Sequence, residues 1–170
     1  MTKNTAFDYA TPYDIMVGLW TVQKIIYDPK GQFLDAVSSF VAVYWHRRNK
    51  LMHFREDSTE ITDTSKHIAR DEKIARVISL NFDLKVEGKF AKGQRGGVTV
   101  TGTQTRPDVY HFHLKTADGS WYNNHYCISP NERDILGPFV ESTGKIKFIV
   151  AQTLTRVSYD VPQKYKKDHR

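Results

Sequence analysis

Three histidines and a dense set of aromatic residues are the side chains whose types and spacing could do chemistry. His111 and His113 stand two apart, and His125 follows beyond the turn signal Ala117-Asp118-Gly119. If residues 109–116 and 120–128 form a hairpin, its register decides which side chains meet. A two-residue Asp118-Gly119 turn pairs Ala117 with Ser120. A three-residue turn pairs Thr116 with Ser120 and sorts the faces better. In that second register Tyr110, Phe112, Leu114, Tyr122, Tyr126 and Ile128 share one face with Asn124. His111, His113, Lys115, Trp121, Asn123, His125 and Cys127 share the other. His111 then faces His125 across the strands, with Cβ atoms about 5 Å apart, and His113 lies on the same side. Three such imidazoles can hold a divalent metal and leave a position for an activated water. The competing view puts this face in water, and no carboxylate of the hairpin is placed to support a metal ligand. The reading adopted has no metal and no cofactor, with His111, His113 and His125 as the metal alternative. A haem ligand drawn from His46, His53, His111 or His125 is a weaker one.

The aromatic face carries the main expectation. The chain has 9 Tyr, 9 Phe and 3 Trp. Tyr110, Phe112, Tyr122 and Tyr126 gather on the hairpin, joined by Phe40 and Tyr44 from an earlier strand and Phe148 from the last. A cavity so lined suits a flat or elongated apolar molecule, with tyrosine hydroxyls and Asn124 orienting its polar ends. The same residues could instead fill a solid core. Other patterns carry less. Gly93-Gln94-Arg95-Gly96-Gly97 lacks the setting and the lysine of a phosphate loop and reads as a turn. Cys127 has only His125 as a basic neighbour and reads as a quiet buried thiol.

The elements that must position these residues are strands. Thr11-Pro12-Tyr13-Asp14 starts a short N-terminal helix, with Thr11 as cap and Pro12 at the first position. Strands are then expected over 18–27, 37–46, 51–56, 74–87, 98–105, 109–116, 120–128 and 145–159. The period-2 alternation is clearest from Ile74 to Glu87. Residues 57–73 read as a loop or weak edge. Residues 130–144 read as a long connection, with Ile135, Leu136, Phe139 and Val140 apolar enough to make a lid and Gly137-Pro138 to bend it. The expectation is an all-β, eight-stranded antiparallel up-and-down barrel preceded by a short helix. Residues 1–11 form a loose N-terminus, 12–162 a single barrel domain and 163–170 a basic tail. Eight strands enclose room for one small ligand.

Gly18-Leu19-Trp20, at the start of the first strand, resembles the Gly-x-Trp signature of the lipocalins and related calycins. The resemblance implies that Trp20 plugs the closed end of the barrel, with Arg156 of the last strand packed across its ring. Fatty-acid-binding proteins of that superfamily hold a carboxylate with Arg-x-Tyr. Here Arg156 and Tyr159 have opposite parity on a strand, so that clamp does not carry over. No Thr-Asp-Tyr motif is present, and the single cysteine forms no intrachain disulfide.

Composition bounds the rest. The 170 residues carry 39% hydrophobic and 26% charged side chains, values of a globular chain rather than a disordered one. There is no apolar run long enough for a membrane helix and no secretory leader, which points to a cytoplasmic protein. Net charge is +6, and Lys164, Lys166, Lys167 and Arg170 against Asp168 account for half of it. A solvated basic tail explains that better than a nucleic-acid arm. The expected function is binding of a small hydrophobic or amphipathic molecule in the barrel, with a homo-oligomer as one option for assembly. The alternative is an isomerase, cyclase or hydratase in the same cavity, with tyrosines, His125 and Arg156 as acid–base and anion-stabilising groups.

Overall fold

The computed structural model describes residues 10–57 and 81–166. Ten strands follow one another: β1 (Gly18–Tyr27), β2 (Phe33–Trp45), β3 (Met52–Asp57), β4 (Phe82–Glu87), β5 (Phe90–Arg95), β6 (Val98–Arg106), β7 (Val109–Lys115), β8 (Gly119–Ser129), β9 (Glu132–Glu141) and β10 (Ile146–Ser158). Each pairs antiparallel with the next, and β1 pairs with β10, so the meander closes into a barrel. The closing seam runs from Leu19↔Ser158 to Tyr27↔Ile149. Closure removes the unpaired edges that an open sheet of this size would expose.

The eight-stranded expectation is therefore corrected to a barrel of ten strands among the described residues. The two missed strands lack the local signals of a strand. β5 is six residues long, with Lys92, Gly93 and Arg95 among them. β9 contains Gly137-Pro138, and proline donates no ladder hydrogen bond. Each is held by a neighbour on both sides, which local propensity does not register. The lid reading of residues 130–144 falls with this correction, because the stretch is wall.

The segment in front of β1 is corrected too. It is a five-residue 3-10 turn, Pro12–Met16, rather than a helix of ordinary length. Its capping is as the sequence suggests. The Asp14 carboxylate accepts from Thr11 N at 2.9 Å, and Thr11 Oγ1 accepts from Tyr13 N. Val17 is already extended and Gly18 opens β1, which leaves no room for a second helical turn. The expected loose residues up to Tyr9, the stretch 58–80 with the first part of the 74–87 strand, and the tail from Lys167 onward lie outside the described residues. At the start of the expected tail Gln163 and Lys164 are exposed. Gln163–Tyr165 form a 3-10 turn, and Tyr165 is buried on the outside of the barrel, 5.7 Å from Phe40.

Alternate positions on each strand face the core. The central cluster takes Trp20, Val22 and Ile26 from β1, Val37, Val41 and Val43 from β2, and Met52 and Phe54 from β3. It continues with Phe82 and Leu84, Tyr110, Phe112 and Leu114, Trp121, Ile135 and Phe139, and Phe148, Val150 and Leu154. Glycines on the inward parity mark close backbone approaches. A Cβ on Gly93 would stand 1.5 Å from the carbonyl oxygen of Asp83, and one on Gly137 1.9 Å from that of Tyr122. One end of the barrel is plugged by the Pro12–Met16 turn. Tyr13 packs against Tyr110 and Phe112 and donates to the Lys89 carbonyl, and the Tyr110 hydroxyl donates to the Pro12 carbonyl.

Candidate functional site

Hairpin β7–β8 pairs Lys115 with Ser120, Phe112 with Asn123 and Tyr110 with His125. This is neither of the two turns considered from the sequence. Residues 116–118 separate the two strands, and the Thr116 N–H donates to the Gly119 carbonyl at 2.8 Å. The slip relative to the three-residue turn is one residue, which exchanges the faces of one strand against the other. The β7 assignments stand: Tyr110, Phe112 and Leu114 point inward and are buried. The β8 assignments are reversed. Trp121, Asn123 and His125 point inward, whereas Tyr122 is 45% exposed and Tyr126 39% exposed on the outside. Asn124 is on the outside as well, against His111 Nδ1.

The remaining expected positions divide. Phe148 lies in the interior cluster. Phe40 and Tyr44 lie on the outer face of β2, in a small cluster with Leu19, Ala42 and Tyr165. The metal alternative fails on register, because His111 and His113 face outward and His125 inward. Ring stacking places His113 on Tyr122, with centroids 4.6 Å apart. Among the described residues no three His, Cys, Asp or Glu side chains converge as a metal site. His46 and His53 stack on each other at 4.8 Å. His53 also meets Tyr44 of the outer cluster, and only His125 of the four haem candidates points into the barrel.

At the plugged end Trp20 is 1% exposed, and its Nε1 donates to the Met16 carbonyl at 2.9 Å. The Arg156 guanidinium lies 4.2 Å from its ring centroid and donates to the carbonyls of Val17, Ile15 and Pro130. A second guanidinium, that of Arg133 on β9, lies 4.6 Å from the same ring.

The unexpected feature is how much polarity the interior holds. Lys24, Ser39, Glu56, Asn123, His125, Arg133 and Gln152 all stand on inward positions and are buried. Lys24 and Glu56 satisfy each other, with Nζ 2.6 and 2.7 Å from the two carboxylate oxygens. Burial lowers the Lys24 pKa, and the Glu56 charge opposes that shift. The others are left over. Ser39 Oγ, Trp121 Nε1, Asn123 Oδ1, His125 Nδ1, Gln152 Oε1 and all three Arg133 nitrogens are buried without a hydrogen-bond partner. Burial, with the Arg133 charge beside it, holds His125 well below the ordinary histidine pKa, so the ring is neutral. Burial also pulls Arg133 down to about 10 and pushes the Tyr110 hydroxyl up to about 12. Native interiors leave few such atoms unsatisfied. Here they stand on the same inward-facing parity as the core rings of Phe112, Trp121, Phe139 and Phe148. Trp121 and Phe139 rings are 4.8 Å apart, Phe139 and Phe148 6.4 Å.

Sequence reasoning missed Lys24, Glu56, Arg133 and Gln152. Lys24 and Gln152 had a signal, since both fall on the apolar parity of their strands. Arg133 had none once its strand was taken for a connection. On the outside, a shallow depression of about 200 Å³ lies over β4, β5 and β6, lined by Lys85, Phe90 and Thr101 among others.

Fold and site together define a closed antiparallel β-barrel with aromatic rings and unmatched polar atoms on its inward face. No family model and no curated protein matches the sequence. Solved structures match its fold. One is a protein of unknown function of the DUF3598 family from Nostoc punctiforme, with TM-score 0.64, 9% identity and 91% of this chain covered. This chain spans 52% of that protein's length. Another is the S-type phycobiliprotein lyase CpeS from Guillardia theta, with TM-score 0.57 and 13% identity over 89% of this chain and 92% of the other. At such identities the likeness is one of fold.

Proposed function

We propose that the barrel interior binds a small amphipathic molecule, and that the chain is a noncatalytic binder of calycin-like type. The observation that carries the reading is the set of buried, unpartnered polar atoms on Asn123, His125, Arg133 and Gln152 among aromatic walls. Each such atom costs about 1–3 kcal/mol of lost solvation unless something pairs with it. A guest that brings apolar body and polar ends together offsets that cost and covers Phe112, Trp121, Phe139 and Phe148. Native mass spectrometry of the full chain purified from its own host tests this. The expected spectrum holds a small-molecule adduct that departs on denaturation. A bare chain that also takes up no amphipathic compound offered to it contradicts the reading.

A second reading is catalysis in the same space. It draws on the phycobiliprotein lyase whose fold matches nearly the whole of both chains, and on His125, a neutral buried imidazole able to exchange a proton. Turnover of a bound molecule that falls about 100-fold in His125→Gln, with binding kept, would select catalysis over carriage.

A further inference from the structure

We propose that the guest carries a single carboxylate and enters head first, with the carboxylate held by Arg133 on the Trp20 floor. This inference rests on the binding reading above and names the chemistry of the group at the closed end. Arg133 is 1% exposed, and Nε, Nη1 and Nη2 all lack a hydrogen-bond partner. A guanidinium offers five donors and keeps its charge at neutral pH. Burying it with the Trp20 face against it and no hydrogen-bond acceptor is costly for a charged side chain. The protein does not answer it from its own stock. Glu56 is the one buried carboxylate among the described residues, and it is bonded to Lys24. Arg156 beside it is already committed to the carbonyls of Val17, Ile15 and Pro130.

The surroundings select the anion. Among the described residues Arg133 is the buried cation left without a hydrogen-bond acceptor, while Lys24 and Arg156 are engaged elsewhere, so one negative charge is balanced and a dianionic phosphate would stay half compensated. The planar fork of arginine matches the two oxygens of a carboxylate. His125, neutral and with Nδ1 unpartnered, and Asn123 lie further along β8 toward the Trp121 end. They would meet polar atoms on the guest's body. The aromatic rings of Trp121, Phe139 and Phe148, at the end away from Trp20, would cover the apolar remainder.

The test is a fluorescence titration of the full chain with 1-pyrenebutyric acid and with 1-pyrenebutanol, which share a body and differ in the charged end. The acid is expected to bind at least about 10-fold tighter, the ordinary advantage of a charge-assisted pair. In Arg133→Met that ratio should fall to about 1, while the melting temperature of the unliganded variant stays level or rises, because a buried unpaired charge has been removed. Arg133→Lys, which keeps charge and loses the fork, should keep part of the preference. Sodium acetate at the acid's concentration supplies the charge without the body and should leave the titrations unchanged. Equal affinity of the parent for acid and alcohol overturns the carboxylate assignment and leaves the binding reading standing. Binding of neither removes both. A preference that survives Arg133→Met, displacement by acetate, or a marked loss of stability in Arg133→Met equally overturns the assignment, the last by making Arg133 a prop for Trp20.

Discussion

Lowering the pH from 7.5 to 5.5 should destabilise the barrel through His125, and His125→Gln should remove that part of the loss. The ring is 1% exposed, its Nδ1 has no partner, and Phe112 lies 4.6 Å from its centroid. Burial first, then Arg133 and His111, holds its folded pKa well below the ordinary 6.5. The sign follows from linkage. Below pH 6.5 the unfolded chain takes up a proton that the folded chain refuses, so stability is full above that value and declines as pH falls toward the lowered folded pKa. With one pKa unit equal to about 1.4 kcal/mol, the drop from pH 7.5 to 5.5 costs about 1.4 kcal/mol. For a domain of this length that is about 3–6 °C in melting temperature. The assay is thermal unfolding by circular dichroism at both pH values for parent and variant. Carboxylates contribute equally to both proteins, so the difference between the two drops isolates His125. Equal drops would refute the neutral, buried imidazole on which the interior chemistry rests.

The Lys24–Glu56 pair should behave as a unit. Glu56→Gln removes the carboxylate charge facing a fully buried ammonium and is expected to cost about 3–5 kcal/mol in urea unfolding, whereas the double change Lys24→Met with Glu56→Met should be close to neutral; a single variant as mild as the double would contradict the coupling of the pair. Gly93→Ala places a Cβ on the Asp83 carbonyl oxygen and should cost at least about 1–3 kcal/mol of stability, with parent-like melting counting against the close β4–β5 crossing. Trp20→Ala empties the floor between Arg133 and Arg156 and should lower stability by about 3–5 kcal/mol, measured by the same unfolding; a loss under about 1 kcal/mol would mean that the floor is held by something else.

The strands that bury one face and wet the other were legible, because period-2 alternation is a physical requirement of that burial. β1, bounded by Gly18 and the Asp28-Pro29-Lys30-Gly31 turn, has the same ends in sequence and structure. In that turn the Asp28 carboxylate accepts from Lys30 N and Gln32 N, and Gly31 adopts φ +84°. β5 and β9 were not legible, since closure of the barrel holds them and closure is a property of all the strands together. The site was half legible. Tyr110, Phe112 and Phe148 follow from parity alone, but Trp121, Asn123 and His125 depend on a hairpin register that one residue of turn length decides. Phe40 and Tyr44 were placed inside because they are aromatic and sit on a strand. Tyr44 is buried and Phe40 partly buried on the outer face instead, in a cluster with Tyr165, more than a hundred residues away.

The central claim is that a guest occupies the interior, and the three tryptophan indoles report on it directly. Trp20 Nε1 is bonded to the Met16 carbonyl and Trp45 Nε1 to Asp14 at 3.0 Å, while Trp121 Nε1 is buried and unpartnered among the inward aromatics. In a two-dimensional nitrogen–proton spectrum of the full chain titrated with 1-pyrenebutyric acid, the Trp121 indole signal should shift most and saturate with the binding curve, and that of Trp45 should stay nearly in place. Saturable binding that moves only signals of outward-facing residues such as Tyr122, Tyr126 and Leu136, with the Trp121 indole unmoved, would contradict the account.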